Sequence, residues 1–307
     1  MSFSEEVKEE LCRVRTQNAC CVLSELSAVT QSTASLALSG GRFCLIWRME
    51  HIALARRVLT LLKQHLDVSA QMEYTLIPQF GGRRICELKL DAKDSEKVLL
   101  ALGMMKADGS GFNLGARNMS SGRKCCRGAY LRGFFLSSGY LLTPEKGYRL
   151  EIILDSREKA EAVQHILQMN GIWGAACRQQ KEKFHVTTES GDEVIAALTV
   201  MGAVNAMMRM ENIRIEKESK NRANRAFNCD QSNLRKQLAK AKAEADMIGE
   251  YLEAHTLEEL PEKLRAVARA RMENPTASLE ELAQALPSPI TKSGLYHRMQ
   301  QLMKLIG

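Results

Sequence analysis

Two Cys-Cys pairs, Cys20-Cys21 and Cys125-Cys126, stand 105 positions apart, and the sequence after them keeps the same offset. Leu26 falls on Leu131, Ala28 on Gly133, Ser32 on Ser137 and Leu36 on Leu141. Without a gap, Phe43 then falls on Tyr148, Leu45 on Leu150, Trp47 on Ile152, Ala55 on Ala160, Val58 on Val163, Leu61 on Ile166 and Leu62 on Leu167. Later the offset shortens by six residues, so that Ile85 meets Phe184 and Gly103 meets Gly202, which a shorter loop in the second copy explains. A gap-free apolar register over about 45 residues marks a duplicated structural unit.

Each copy reads as the same run of elements. A helix opens it, at about 20–31 and again at about 124–136. Two short strands follow, 35–38 and 43–47 in the first copy, 140–142 and 148–154 in the second. A second helix is set by Leu54, Val58, Leu61, Leu62 and Leu66 at helical spacing, matched by Ala162, Val163, Ile166, Leu167 and Met169. Two more strands (72–77 with 84–90, then 176–178 with 183–188) precede a closing helix at 95–105 and at 192–208. The order αββαββα, twice, with hairpin strands and helices on one face, is an α+β fold. The opening helix of the second copy carries Ala129, Gly133 and Ser137 on one face, and small residues at that spacing let helix backbones approach closely. The two opening helices are therefore expected to pack on a pseudo-two-fold axis, the sheets joining into one saddle.

The 307 residues allow two or three domains with a sizeable core. Formal net charge is +7, compatible with an anionic partner. The nine cysteines show neither a C-x-x-C nor a Cys/His zinc spacing, so reduced and mostly buried thiols are expected, Cys125 among them despite its basic neighbours Lys124 and Arg127. No cofactor or metal site is expected. Trp47 and Trp173 are expected in the core. The start MSFSEEVKEEL lacks the basic and apolar regions of a secretory signal, and the longest apolar run, VIAALTVMGAV from Val194, is too short to span a bilayer. A cytoplasmic chain with no membrane partner is the expectation.

Beyond Met210 the pattern changes. Between Arg209 and Lys242 ten Lys and Arg face four acids, so this segment holds most of the net charge. Such a strip suits a phosphate backbone, and Arg222, Arg225, Arg235 and Lys236 are candidate contacts. The alternative is a solvated linker leading into a helix. Asn221, Asn224, Asn228 and Asn233 are unfavourable in a helix and point to capped turns or specific hydrogen bonds. Leu238, Ala241, Ala245, Ile248 and Leu252 then form a narrow helical seam starting from Leu234.

The last fifty residues hold three short amphipathic patterns. Thr256 with Glu259 makes a capping box before Pro261, and a helix follows with Leu264, Val267, Ala268 and Met272 inside. Ser278 with Glu281 makes another, followed by Leu279, Leu282, Ala283 and Leu286. Pro287 and Pro289 interrupt the chain, and Thr291 or Ser293 caps a last helix with Leu295, Met299, Leu302 and Ile306 inside. Three helices with tight breaks describe a helix-turn-helix unit. Residues 250–287 hold eight acids against four bases, whereas from Ser288 onward there are Lys292, Arg298, Lys304 and no acid. That sign change makes the last helix the one suited to DNA. Its candidate contacts are Lys292, Ser293, Gly294, Tyr296, His297, Arg298, Gln300, Gln301 and Lys304, joined by Ser278.

Two resemblances follow from these residues. The duplicated αββαββα unit, with LRGFFLSSG from Leu131 to Gly139 in the place of the name-giving motif, resembles the LAGLIDADG homing endonuclease fold. In those enzymes an acid near the helix end binds the divalent metal that activates water. Here Ser138 and Thr33 take that place, and hydroxyls do not substitute for carboxylates on Mg²⁺. The nearest later acid is Glu145, in a turn. NRAFNCDQSNLRK, LPEKLRAVARARMENPTASLEELAQAL and PITKSGLYHRM resemble the WhiA family of sporulation and cell-division regulators of Gram-positive bacteria.

The resemblance implies a non-cleaving LAGLIDADG-like domain at 1–208, with copies of about 1–106 and 107–208. A basic linker at 209–232 and a helical DNA-binding domain at 233–307 follow, with the helix-turn-helix at about 261–307. It implies a transcription regulator in cell division, chromosome segregation or sporulation. Expected partners are double-stranded DNA and another transcription regulator or RNA polymerase, in the cytoplasm and on the nucleoid. The alternatives are a residual metal-dependent endonuclease, and a protein or ligand platform with an accessory DNA-binding tail.

Overall fold

The computed structural model describes residues 2–39, 41–77, 83–106, 111–112 and 122–307. The start of the second copy, expected at about residue 107, lies outside the described residues. The chain divides into two units, Met1–Glu216 and Lys217–Gly307.

Unit one is built twice over. After a first helix, α1 (Phe3–Cys12), the first copy runs α2 (Ala19–Thr33), β1 (Ala34–Ser39), β2 (Arg42–Met49), α3 (Ile52–Leu66), β3 (Gln71–Ile77), β4 (Arg83–Lys89) and α4 (Ala92–Ala101). The second runs α5 (Lys124–Ser138), β5 (Gly139–Leu141), β6 (Leu150–Leu154), α6 (Arg157–Met169), β7 (Ala176–Gln180), β8 (Lys183–Thr188) and α7 (Gly191–Met201). Each copy holds a four-stranded antiparallel sheet of the same order, β1-β2-β4-β3 and β5-β6-β8-β7. This is the pseudo-two-fold duplicated α+β architecture. Among the described residues the two sheets stay separate, with no strand pair joining them into the one sheet that a continuous saddle needs. The shortening falls in the β7–β8 hairpin, turned at Lys181 with a positive φ of 54°, but the registers put Cys86 rather than Ile85 in the place of Phe184, since Met49 pairs with Cys86 as Leu154 does with Phe184.

The duplication axis is the α2–α5 pair. A Cβ built on Gly133 would lie 2.6 Å from the Glu25 carbonyl oxygen and 2.7 Å from the Ala28 Cβ, so only glycine fits there. Gly133 thus packs on Ala28, the residue it matches in the repeat. Gly133→Val is expected to destabilise unit one by about 1–3 kcal/mol through overpacking. A lower urea midpoint would register this, and an unchanged midpoint would show that the helices part without cost. The polar stretch of α2 is satisfied across this seam, where Tyr130 Oη donates to Gln31 Oε1 at 3.1 Å, and from its own sheet, where Trp47 Nε1 of β2 donates to Thr30 Oγ1 at 3.1 Å.

A buried ion-pair triad locks the axis. Glu25, 1% exposed, accepts from Arg57 Nη2 at 2.9 Å and from Arg132 Nε and Nη2 at 2.9 and 2.7 Å, and Arg57 Nε pairs with its other oxygen. The remaining guanidinium donors reach the carbonyls of Cys12, Val14 and Met201 and the Thr16 hydroxyl, which accepts from both arginines. Unlike an isolated buried charge, this group has nearly every donor matched.

Three expectations need correction in unit one. The closing helix expected at 192–208 breaks at Gly202, whose φ of 92° is the left-handed conformation that ends α7. A new helix, α8 (Val204–Ala254), starts two residues later, with the Glu10 carboxylate accepting from the N–H groups of Asn205 and Ala206. Trp173 is 74% exposed rather than in the core, whereas Trp47 is fully buried. Cys125 is exposed and Cys126 is the buried member of its pair.

The segment expected to hold capped turns is helical throughout. Asn221, Asn224, Asn228 and Asn233 all lie within α8. Asparagine costs under about 1 kcal/mol per helical position, and the neighbouring Ala, Lys, Arg, Gln and Leu residues offset it. Leu234 and Leu238 are exposed, so the seam of α8 begins only at Ala241 and continues through Ala245 and Ile248.

Unit two completes that core. A short 3-10 turn, Leu257–Glu259, carries the Thr256–Glu259 capping box, and α9 (Glu262–Glu273), α10 (Leu279–Ala285) and α11 (Lys292–Ile306) follow. Ile248, Leu264, Val267, Leu282, Leu295, Met299 and Leu302 form one apolar cluster. Met272, expected inside, is exposed, and the position one residue earlier is buried instead by Arg271.

Candidate nucleic-acid interface

The last helix is placed from its start. Thr291 Oγ1 accepts from the Gly294 N–H at 3.1 Å, which fixes the first turn of α11. The proline-bearing break before it is pinned by the Ile290 N–H, which donates to the Ala283 carbonyl at 3.2 Å, while the Ile290 side chain packs on the core. Leu295, Met299 and Leu302 anchor the inner face of α11. Its outer face therefore carries Lys292, Ser293, Tyr296, His297, Gln300, Gln301 and Lys304 in solvent, with Gly294 and Arg298 half-buried beside them.

The helix before it is equally well set. Ser278 Oγ accepts from the Glu281 N–H at 3.3 Å, and Glu281 Oε2 accepts from the Ser278 N–H at 2.7 Å. These bonds hold the Glu281 carboxyl below the usual carboxylate range, the Ser278 backbone bond contributing most. The Ser278 oxygen is thus committed to the cap, and its O–H remains the group with which it could donate.

Three side chains outside the sequence-derived set shape this surface. Arg271, 1% exposed, donates through Nη2 to Glu244 Oε2 at 2.9 Å and through Nη1 to the Ala277 carbonyl at 2.6 Å. One buried arginine so ties α8 to α9 and holds the turn that leads into α10. Lys240 Nζ sits 5.1 Å from the centroid of the Tyr296 ring, whose hydroxyl accepts from Gln300 Nε2 at 2.8 Å. A cleft of 360 Å³ brings Lys240, Glu244, Arg271, Ser278, Glu280 and Lys292 together. Lys240 had a legible signal, one helical turn beyond Lys236 in the basic strip. Glu244 and Arg271 had none, because the contact joins residues 27 apart on two helices.

Lys292 meets Glu280 at 3.4 Å, with both side chains about two-thirds exposed. Such a pair contributes only about 0–1 kcal/mol, so a phosphate can replace Glu280 at little cost. Arg222, Arg225, Arg235 and Lys236 all lie on α8 with exposed side chains. They form a basic helical surface rather than a linker, and no α11 residue is acidic.

In unit one, the helix ends where a metal-binding acid was considered are otherwise engaged. Thr33 Oγ1 donates to the Val29 carbonyl at 2.8 Å and Ser138 Oγ to the Phe134 carbonyl at 3.3 Å. Ser32 and Ser137, the matching pair one residue earlier, do the same to Ala28 and Gly133 at 3.0 and 2.8 Å. Glu145 pairs with Arg209 at 3.8 Å. No helix among the described residues is long and apolar enough to cross a membrane.

A family model for the WhiA N-terminal LAGLIDADG-like domain matches residues 19–104, one for the WhiA LAGLIDADG-like domain 127–220, and one for the WhiA C-terminal HTH domain 223–306. The chain is 34% identical to the probable cell division protein WhiA of Heliobacterium modesticaldum, covering 99% of this chain and 96% of that protein. It is 32% identical to the probable cell division protein WhiA of Alkaliphilus metalliredigens, covering 98% and 96%. The crystal structure of full-length DUF199/WhiA from Thermatoga maritima shares the fold, with a TM-score of 0.61, 24% identity and coverage of 100% and 98%. That of the N-terminal LAGLIDADG domain of DUF199/WhiA aligns with a TM-score of 0.51 and 22% identity over 66% of this chain and 92% of that one.

Proposed function

Because the chain belongs to the WhiA family, we propose that it is a sequence-specific DNA-binding regulator of transcription that serves cell division, chromosome segregation or sporulation without catalysis. The observation that carries the reading is the outer face of α11. It presents lysines, a half-buried arginine, amide and aromatic side chains, and no acid, on a helix locked by its cap and its inner face. Lys292, Ser293 and Lys304 take phosphates, and the positive end of the helix dipole at Lys292 adds to them. Tyr296, His297, Arg298, Gln300 and Gln301 read base edges in the major groove. Gly294 lets the first turn come close, and the Ser278 O–H donates from α10. Arg222, Arg225, Arg235 and Lys236 add sequence-independent attraction.

The absence of catalysis is supported by Thr33 and Ser138, hydroxyls that stand where the nucleases place carboxylates and whose O–H groups donate to carbonyls of their own helices. On this reading the duplicated domain is a scaffold and the partner is double-stranded DNA in the cytoplasm, at the nucleoid, with another regulator or RNA polymerase beside it. Genome-wide mapping of DNA bound by the intact chain tests the proposal. Discrete enriched sites that vanish in a Lys292→Ala/Arg298→Ala variant are the expected result. A map with no sites, or one unchanged in the variant, would count against it.

A further inference from the structure

The duplication brings the two Cys-Cys pairs to one place, and neither the helix-turn-helix nor the scaffold role uses them. The sulfurs of Cys20, Cys21 and Cys126 all lie within 4.8 Å of one another. Cys125 is the next residue to Cys126 on the first turn of α5, with its sulfur outside that close group of three. Cys20 and Cys125 are exposed while Cys21 and Cys126 are buried, so the cluster has an open rim and a dry floor. It sits on the first turns of α2 and α5, whose N-cap residues Asn18 and Arg123 make no side-chain cap.

We propose that Cys20, Cys21, Cys125 and Cys126 form a binding site for one thiophilic divalent cation, with Zn²⁺ the best fit. Zn²⁺ takes four thiolates tetrahedrally at about 2.3 Å, which sets sulfurs about 3.8 Å apart. The sulfurs of Cys20, Cys21 and Cys126 reach that spacing by closing at most about 1 Å, and rotation of the exposed Cys125 side chain brings in the fourth ligand. Binding displaces one proton from each thiol to solvent and leaves a complex of net charge −2 (by charge count). The helix dipoles of α2 and α5 point their positive ends at it, and Arg123 and Lys124 add positive charge. Adjacent cysteines make poor disulfides, and a bond between copies would join two sulfurs where at least three converge. Two ligands come from each copy, so the cation clasps the repeats together at the start of their shared helix axis. The spacing gives no C-x-x-C, which is why the sequence alone concealed the site.

The test uses the full chain, reduced and freed of metal, titrated with Zn²⁺ against a chromophoric chelator and with Co²⁺ as a spectroscopic probe. One cation per chain, a thiolate-to-cobalt charge-transfer band and a raised Tm are expected. Cys20→Ser/Cys126→Ser should lose all three, while Cys44→Ser/Cys229→Ser keeps them. Should the first variant fail to fold, alkylation of the wild-type chain decides. Zn²⁺ should then protect Cys20, Cys21, Cys125 and Cys126 and leave Cys229 reactive. No stoichiometric binding, protection at other cysteines, equal binding by a folded Cys20→Ser/Cys126→Ser variant, or a Cys20–Cys126 disulfide in a chain that takes no Zn²⁺ once reduced would each overturn the proposal.

Discussion

Glu25→Ala is expected to cost unit one about 3–5 kcal/mol, because it strands two buried guanidinium groups. Arg57 and Arg132 each lose a two-pronged carboxylate contact while more than nine-tenths buried. For a unit of this size about 1 kcal/mol moves Tm by roughly 2–4 °C, so the drop should be on the order of 10 °C. Calorimetry of the intact chain would show one transition moving and the other staying. Replacing all three residues together, as Glu25→Leu/Arg57→Met/Arg132→Met, should recover much of the loss, since an apolar trio leaves no unpaired charge. If the single substitution leaves both transitions in place, the triad is not what holds α2 to α5.

The matching experiment in unit two is Arg271→Ala. It leaves the Glu244 carboxylate buried without its main partner and frees the Ala277 carbonyl that positions the start of α10. A loss of about 3–5 kcal/mol is again expected, with duplex binding weakened as the Ser278 and Lys292 ends of the cleft drift apart. Arg271→Lys should rescue only part of it, because an ammonium cannot fork to two acceptors in fixed directions. The readouts are the thermal transition of unit two and fluorescence anisotropy on duplex DNA. Intact stability together with lost binding would assign Arg271 to the DNA surface instead of the scaffold.

Much of the fold was legible because duplication repeats the same apolar register, and two copies of a weak signal are stronger than one. The capping boxes at Thr256 and Ser278 placed the terminal helices for a local reason, since each satisfies donors three residues apart. The same device at Ser2 and Glu5 starts α1, but only Phe3, Val7 and Leu11 follow it as buried apolar residues, too sparse a pattern to announce the helix. What stayed hidden is long-range polar pairing. Glu25 meets Arg57 32 positions away and Arg132 107 away, and no local pattern announces either contact. Burial of Arg271 in place of Met272 has the same origin, since the helical period allows either and only the Glu244 partner decides. The Asn-rich run was misread as turns because single-residue propensities are small beside the cooperativity of a helix already formed on both sides. The outward and inward faces of α11 were readable because cap and periodicity agree there.

The central claim is that the outer face of α11 holds duplex DNA. The most direct measurement is the affinity of the intact chain for a duplex taken from its genomic binding map, followed across salt concentration. The account predicts a log–log salt slope of about −0.9 per phosphate neutralised. Lys292→Ala/Arg298→Ala should flatten it by about 1–2 units and weaken binding about tenfold or more. A double variant with the wild-type slope and affinity at every salt concentration would contradict it.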